Sequence, residues 1–334
     1  MGLRTYSMAL IAVAVGLFLA VIATNLIVDP EEVLGTGLLG HSVNPNGRYT
    51  AMRAYEAAPD EFDGLLFGSS RTWSMPLDVL SQRMGGVKFA HFGVSDGQIV
   101  DHLPVLEYVI RSKAVRGQAL RAVFLLLDAD IFGAPPHANQ SIQALWPPVL
   151  TGESPWRFSW RYLTAIQFKA WSLQITHPWP VLPLIVPGTV RSAWSPISVA
   201  SAAEQAGPGA PAQKYENARE RITARDDFPR QLALLAHFVE LCRTHHITLV
   251  VGIAPLHRNL AVLYDPDDLA EVPARIAAIV PVWDFGAPEW LSARTDLWVE
   301  WFHFKSELAR MILDRIFTGA ASGAPPDFGV LRGK

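Results

Sequence analysis

From Ser7 to Val28 the chain carries no charged side chain: SMALIAVAVGLFLAVIATNLIV. In hydrocarbon every backbone N–H and C=O must find an internal partner, so such a run can cross only as a helix. At about 1.5 Å per residue it is long enough for the roughly 30 Å apolar layer of a bilayer. Arg4 precedes the run, Asp29, Glu31 and Glu32 follow it, and the next basic residue is Arg48. That bias leaves the N-terminus in the cytoplasm and the remaining chain outside. Val21-Ile22-Ala23 offers a cleavage site, but the run exceeds the roughly 7 to 15 residues of a signal core, so an uncleaved anchor over 1–28 is expected. The folded domain is therefore expected outside the cytoplasm, which in a Gram-negative cell means a single-pass inner-membrane protein with its domain in the periplasm.

Beyond the anchor the chain has the length for one large domain with an insertion. The formal net charge over its 334 residues is only -3, which provides no basic field for nucleic-acid phosphates and argues against nucleic acid as a partner. Cys242 is the single cysteine, which excludes an internal disulfide and a thiolate metal cluster. His245, His246 and His257 show no metal-ligand spacing, and neither Gly-x-Gly-x-x-Gly nor a phosphate-binding loop is present. No metal and no cofactor are expected.

Residues 29–60 mix Gly, Pro and Asn without a sustained period and read as a linker. From about 61 to 318, short apolar runs alternate with longer segments of helical period. The strand runs are GLLFG, VKFAHFG, AVFLLLD, ITLVVGIAP and PVWDFG; the helical segments follow Pro76 and span 95–111, 228–246, 267–279 and 305–317. Strand and helix in alternation imply an α/β fold with a mostly parallel sheet covered by helices. The Trp- and Pro-rich stretch at about 133–213 breaks this rhythm and reads as an insertion, and 319–334 as a flexible C-terminal tail. Trp146, Trp156, Trp160, Trp171 and Trp179 in the insertion can pack, stack on sugars or sit at a membrane interface.

In open parallel sheets ligands gather beyond the carboxyl ends of the strands. There the sequence places Gly68 to Arg71, His91 to Ser95, Asp128 to Asp130, Pro255 to His257 and Asp284 to Gly286. Ser69 and Ser70 fit either a turn with an N-cap or a nucleophile at the sheet edge. A serine nucleophile needs a base, and the base needs a group to orient it. His303, with Glu300 three residues before it, is the best-placed of the ten histidines. Asp296 is a spare acid. Arg71 suits either a carboxylate or sugar oxygen on a substrate or a partner in the scaffold, and His257 either the pocket or the surface.

Together FGSSR, HFGVSDG, LLLDADIF and WVEWFHF resemble the SGNH (GDSL-like) hydrolase superfamily, over about residues 60 to 318. The closer likeness is to its membrane-anchored periplasmic branch, which includes alginate O-acetylation proteins and DltD-type proteins. The resemblance implies a three-layer α/β/α sandwich of SGNH, flavodoxin-like type. It puts the nucleophile on Ser70, the base on His303, its orienting acid on Glu300, and oxyanion donors on the N–H groups of Ser70 and Gly93. Arg71, Asp128 and His257 become substrate-side candidates. Two departures stand out: the last block carries Glu where the family has Asp, and the Gly-x-Asn-Asp block is absent, with Asp128 and Asp130 near its place. The activity implied is acyl-ester chemistry, most naturally O-acetyl transfer to an exopolysaccharide or cell-wall glycan. The alternatives are a carbohydrate esterase and a catalytically silent scaffold or glycan-binding subunit of a polysaccharide secretion complex. Implied partners are the glycan, a membrane-bound O-acyltransferase and polysaccharide synthesis proteins.

Overall fold

The computed structural model describes residues 2–36, 38, 42, 46–134, 146–168, 170–172, 221–319, 324–325 and 328–333. Most of the expected insertion, including 173–213 and Trp179, lies outside the described residues. In chain order the principal elements are α1 (Leu3–Val28), α2 (Gly47–Ala57), β1 (Gly64–Gly68), α3 (Leu77–Arg83), β2 (Phe89–Gly93), α4 (Ile99–Val115) and β3 (Ala122–Leu127). They continue with α5 (Pro155–Thr164), α6 (Phe228–Thr244), β4 (Thr248–Ile253), α7 (Pro266–Ala277), β5 (Val282–Asp284), α8 (Ser306–Thr318) and β6 (Val330–Arg332). The chain divides into two compact units, Met1–Arg53 with Ala138–Thr189, and Ala54–His137 with Val190–Lys334.

The first unit contains α1, the one helix among the described residues long and apolar enough to cross a membrane. It ends where Asp29 turns left-handed, φ 38°, and the Asp29 carboxylate accepts the N–H groups of Leu34 at 3.1 Å and Gly35 at 2.6 Å. Val33, Phe158 and Tyr162 form a small core beside this turn. Glu31 is also buried, 2% exposed, and its carboxyl accepts the Asn46 amide at 3.3 Å. The stretch expected to be a linker is thus partly helical. Asn46 caps α2 by accepting the Tyr49 N–H at 3.1 Å, and Met52 is buried; the division falls within this helix, and its buried Tyr55 belongs to the second unit. Trp146 lies under the Arg48 guanidinium at 5.4 Å, and Trp171 is buried.

The second unit is an α/β fold on a six-stranded mixed sheet of order β2-β1-β3-β4-β5-β6. β1 to β5 run parallel, as the alternation implies, and β6 is antiparallel to β5. The segment expected to be a flexible tail therefore includes a paired strand. Phe328 just before it is 1% exposed and packs on Phe285 and Trp290. A three-residue strand is too short to show an alternation, which is why the sequence hides it.

Every β1 residue is buried, as a central parallel strand requires. Alternate side chains face opposite ways: Leu66 joins Phe124, Leu126, Leu80, Leu308 and Ile312 in one cluster, whereas Phe67 meets Phe92, His102 and Phe238. α3 packs with α8, and α4 with α6. Because β2 lies on one side of β1 and β3 on the other, the chain reverses its winding at β1. In open sheets such a switch point is where ligands gather, beyond the carboxyl ends of the strands.

Burial pushes the Glu31 carboxyl from its ordinary 4.5 up to about 8, against the opposing Asn46 hydrogen bond. Between these two values the folded protein holds a proton that the unfolded chain has released, so stability falls as pH rises through the window. Glu31→Gln should flatten that fall by roughly 1 kcal/mol per pH unit, read as the difference between wild-type and variant in urea midpoints from pH 5 to pH 8. Parallel pH profiles would contradict the assignment.

Candidate active site

β1 ends at Gly68 with φ 153°, where a Cβ would lie 2.6 Å from the Leu126 carbonyl oxygen and 2.5 Å from Thr72 Cγ2. Only glycine fits this turn. Ser69 then caps a 3₁₀ turn over Ser70–Ser74, its Oγ accepting the Arg71 N–H at 3.1 Å. Of the two serines, one therefore caps the turn and the other, Ser70, is left half-buried at its start.

The opposing wall is built by a tight loop. Trp298 and Phe304, both buried, form a bridge, and between them Val299 N–H bonds the His303 carbonyl at 2.9 Å and His303 N–H bonds the Glu300 carbonyl at 3.2 Å. This closure places Glu300 and His303 on the same side. His303 Nδ1 is hydrogen-bonded to Glu300 Oε1, and His303 Nε2 lies 2.8 Å from Ser70 Oγ. Glu300 Oε2 accepts the Phe302 N–H at 2.8 Å. Burial works to raise the Glu300 carboxyl, but the hydrogen bonds from His303 and Phe302 outweigh it and hold the group below the usual carboxylate range. The extra methylene of glutamate is accommodated, since the acid reaches the imidazole from its own loop.

Arg71 joins the two walls. It is 5% exposed, its Nε donates to the Phe302 carbonyl at 2.9 Å, and its fork binds both Asp130 oxygens at 2.7 and 2.9 Å. Asp128 Oδ1 is 3.0 Å from the same guanidinium. Burial raises the Asp128 carboxyl above its usual range, opposed chiefly by Arg71. Arg71 and Asp128, considered as substrate contacts, are thus engaged with each other and with the scaffold. His257 is likewise no open contact: it is 7% exposed, its Nδ1 accepts the Asn259 N–H at 3.2 Å, and its ring lies edge-on to Trp298 and parallel to Trp301. Burial depresses its pKa. It supports the loop from behind. Asp296 is exposed and paired with Arg294 at 2.7 and 2.9 Å, outside the site.

Gly93 ends β2 directly beside Gly68 in the ladder. A Cβ there would strike Thr72 Oγ1 at 2.2 Å and His91 Nε2 at 2.6 Å, so the position needs glycine for space and not for turn geometry. His91 and Thr72 contact each other at 2.9 Å, and burial lowers the His91 pKa to about 4. Trp73 is a neighbour of the site that the sequence blocks do not mark. Its indole lies parallel to the His303 ring with centroids 6.1 Å apart, and its Nε1–H points to the Gly93 carbonyl at 3.4 Å. The signal was the spacing, because three residues on from Ser70 is the same side of a 3₁₀ turn.

The described residues hold no group of three or more acidic, histidine or cysteine side chains arranged for a metal. A concavity at the opposite, amino end of the strands, lined by Arg83, Arg121, Thr248 and Phe317, contains none of the site residues. No protein-family model matches the chain, and no curated protein matches it in sequence.

Arg71→Ala would leave two buried carboxylates without their cation and should lower stability by about 3 to 5 kcal/mol, with Arg71→Lys intermediate because it keeps the charge and loses the fork. Urea unfolding of the three proteins checks this; a wild-type midpoint for Arg71→Ala would exclude a bracing role.

Proposed function

We propose that the protein is an extracytoplasmic acyl-ester enzyme of SGNH type, an O-acetyltransferase modifying an exopolysaccharide or cell-wall glycan. The observation that supports it best is the relay from Glu300 through the His303 imidazole to Ser70 Oγ at 2.8 Å, at the switch point of the sheet. His303, oriented by Glu300, takes the Ser70 proton as Oγ bonds the acyl carbonyl carbon. The tetrahedral oxyanion is met by the N–H groups of Ser70 and Gly93. Collapse transfers the proton to the leaving oxygen and leaves an acyl-serine, which a sugar hydroxyl attacks after giving its proton to His303.

On this reading the second unit is a three-layer α/β/α sandwich. α1 is a single-pass inner-membrane anchor, with Arg4 inside and Asp29 and Glu31 outside, so the site faces the periplasm. An acyl donor used there must cross the membrane, which makes a membrane-bound O-acyltransferase and polysaccharide synthesis proteins the natural partners. Water in place of the sugar hydroxyl would make the same site a carbohydrate esterase. A catalytically silent scaffold or glycan-binding subunit is the competing reading, favoured by Asp128 and Asp130 standing where the family brings an asparagine donor.

A fluorophosphonate probe should label the wild-type protein on Ser70 and leave Ser70→Ala unlabelled. Glu300→Gln should slow labelling by roughly 10²- to 10⁴-fold. Labelled acetyl appearing on glycan identifies a transferase, and labelled acetate alone an esterase. An unreactive, folded wild-type protein would establish the scaffold reading.

A further inference from the structure

The site described above uses none of the aromatic side chains of α5. That helix has three rows. Phe158 and Tyr162 face the core of their unit. Trp156 and Trp160, four residues apart, stack with centroids 6.2 Å apart yet remain 75% and 46% exposed. Arg157 and Arg161 form the row beside them, Arg161 paired with Glu153 at 2.8 Å. Just beyond the helix, Ile166 and Phe168 are 62% and 73% exposed.

Two observations say what covers this apolar ridge. The Trp160 ring meets Phe18 of α1 at 6.0 Å, so the ridge is continuous with the surface of the one described helix able to cross a membrane. The end of α5 also meets a side chain of α1. The last carbonyls of a helix ordinarily turn to solvent, but here the fully buried Asn25 amide of α1 donates to the carbonyls of Tyr162 at 3.2 Å, Leu163 at 2.8 Å and Ala165 at 2.8 Å. Its oxygen accepts the Trp171 indole N–H at 2.8 Å. Each carbonyl met in this way is one fewer polar group that would oppose placing this end of α5 near hydrocarbon.

We propose that α5 and residues 165–168 form a ledge in the interface of a phospholipid bilayer, with Trp156, Trp160, Ile166 and Phe168 at the boundary of headgroups and acyl chains and Arg157 at the lipid phosphates. The ledge rests on the reading of α1 as a membrane span. Indole rings favour this depth because the ring is apolar and its N–H remains in the wet headgroup layer. Arginine reaches the phosphates by laying its stem along apolar surface. The first unit is then held flat against the leaflet that α1 leaves.

The full chain in phosphatidylcholine and phosphatidylglycerol vesicles, spin-labelled one site at a time at Trp156→Cys, Phe168→Cys, Ile11→Cys or Val115→Cys, provides the test; the native Cys242 is buried and the unsubstituted protein checks that it stays unlabelled. Power saturation compares access of oxygen, which concentrates in lipid, with access of an aqueous nickel complex. The ratio should be severalfold higher at 156 and 168 than at 115, approaching that at 11. Ratios at 156 and 168 equal to that at 115 would overturn the ledge, as would protection from both reagents, which would mean a protein covers it. If label 11 reports lipid while 156 and 168 report water, only the ledge fails; if 11 also reports water, the span fails with it.

Discussion

One buried guanidinium organises the second unit's candidate site. Arg71 sits one residue after Ser70; its Nε–H donates to the Phe302 carbonyl beside His303, its two terminal nitrogens donate to Asp130, and Asp128 stands 3.0 Å from the same guanidinium at the end of β3. A charge at 5% exposure is tolerable only when its hydrogen bonds are met, and here the partners come from the two walls that must be held at a fixed separation. The 2.8 Å approach of Ser70 Oγ to His303 Nε2 follows from that clamp, since neither the 3₁₀ turn nor the 299–303 loop alone specifies where the other lies.

Around the clamp, close packing replaces flexibility. Glycine at 68 and at 93 lets two strand ends and the serine turn come within contact distance, where any Cβ would meet Leu126, Thr72 or His91. The loop bearing Glu300 and His303 is closed by Trp298 and Phe304 and backed by His257. These contacts hold the loop and the serine turn against buried side chains. The first unit shows a related economy: Asn25, Asp29 and Glu31 are placed where backbone or side-chain groups at helix ends would otherwise lack partners.

Much of this was legible in the residues. The strands β1 to β5 appear as short apolar runs, the helices between them as 3.6-residue periods, and the positions after the strands are those where the site lies. Ser70, His303 and Glu300 were candidates as a set only through the resemblance, and their side chains stand together in the structure. α2 and β6 were not legible, because the contacts that accompany them are not a local pattern: Tyr55 of α2 packs on Phe62 and Phe92, and Phe328 just before β6 packs on Phe285. Arg71, Asp128 and His257 were visible as candidates, but their partners were not, since a charged or aromatic side chain at a strand end reads alike whether it faces a ligand or a neighbour.

The sequence by itself determined the membrane-length helix, the parallel α/β architecture and the chemical types present at the sheet edge, because hydrophobic period and local backbone preference act over a few residues. Only the tertiary structure decided which serine meets the imidazole, that glutamate reaches it, and that the neighbouring arginine is a brace. Those outcomes depend on side chains more than two hundred residues apart along the chain, such as Ser70 and His303, and their meeting is set by the winding reversal at β1 and a buried ion cluster that no local pattern encodes.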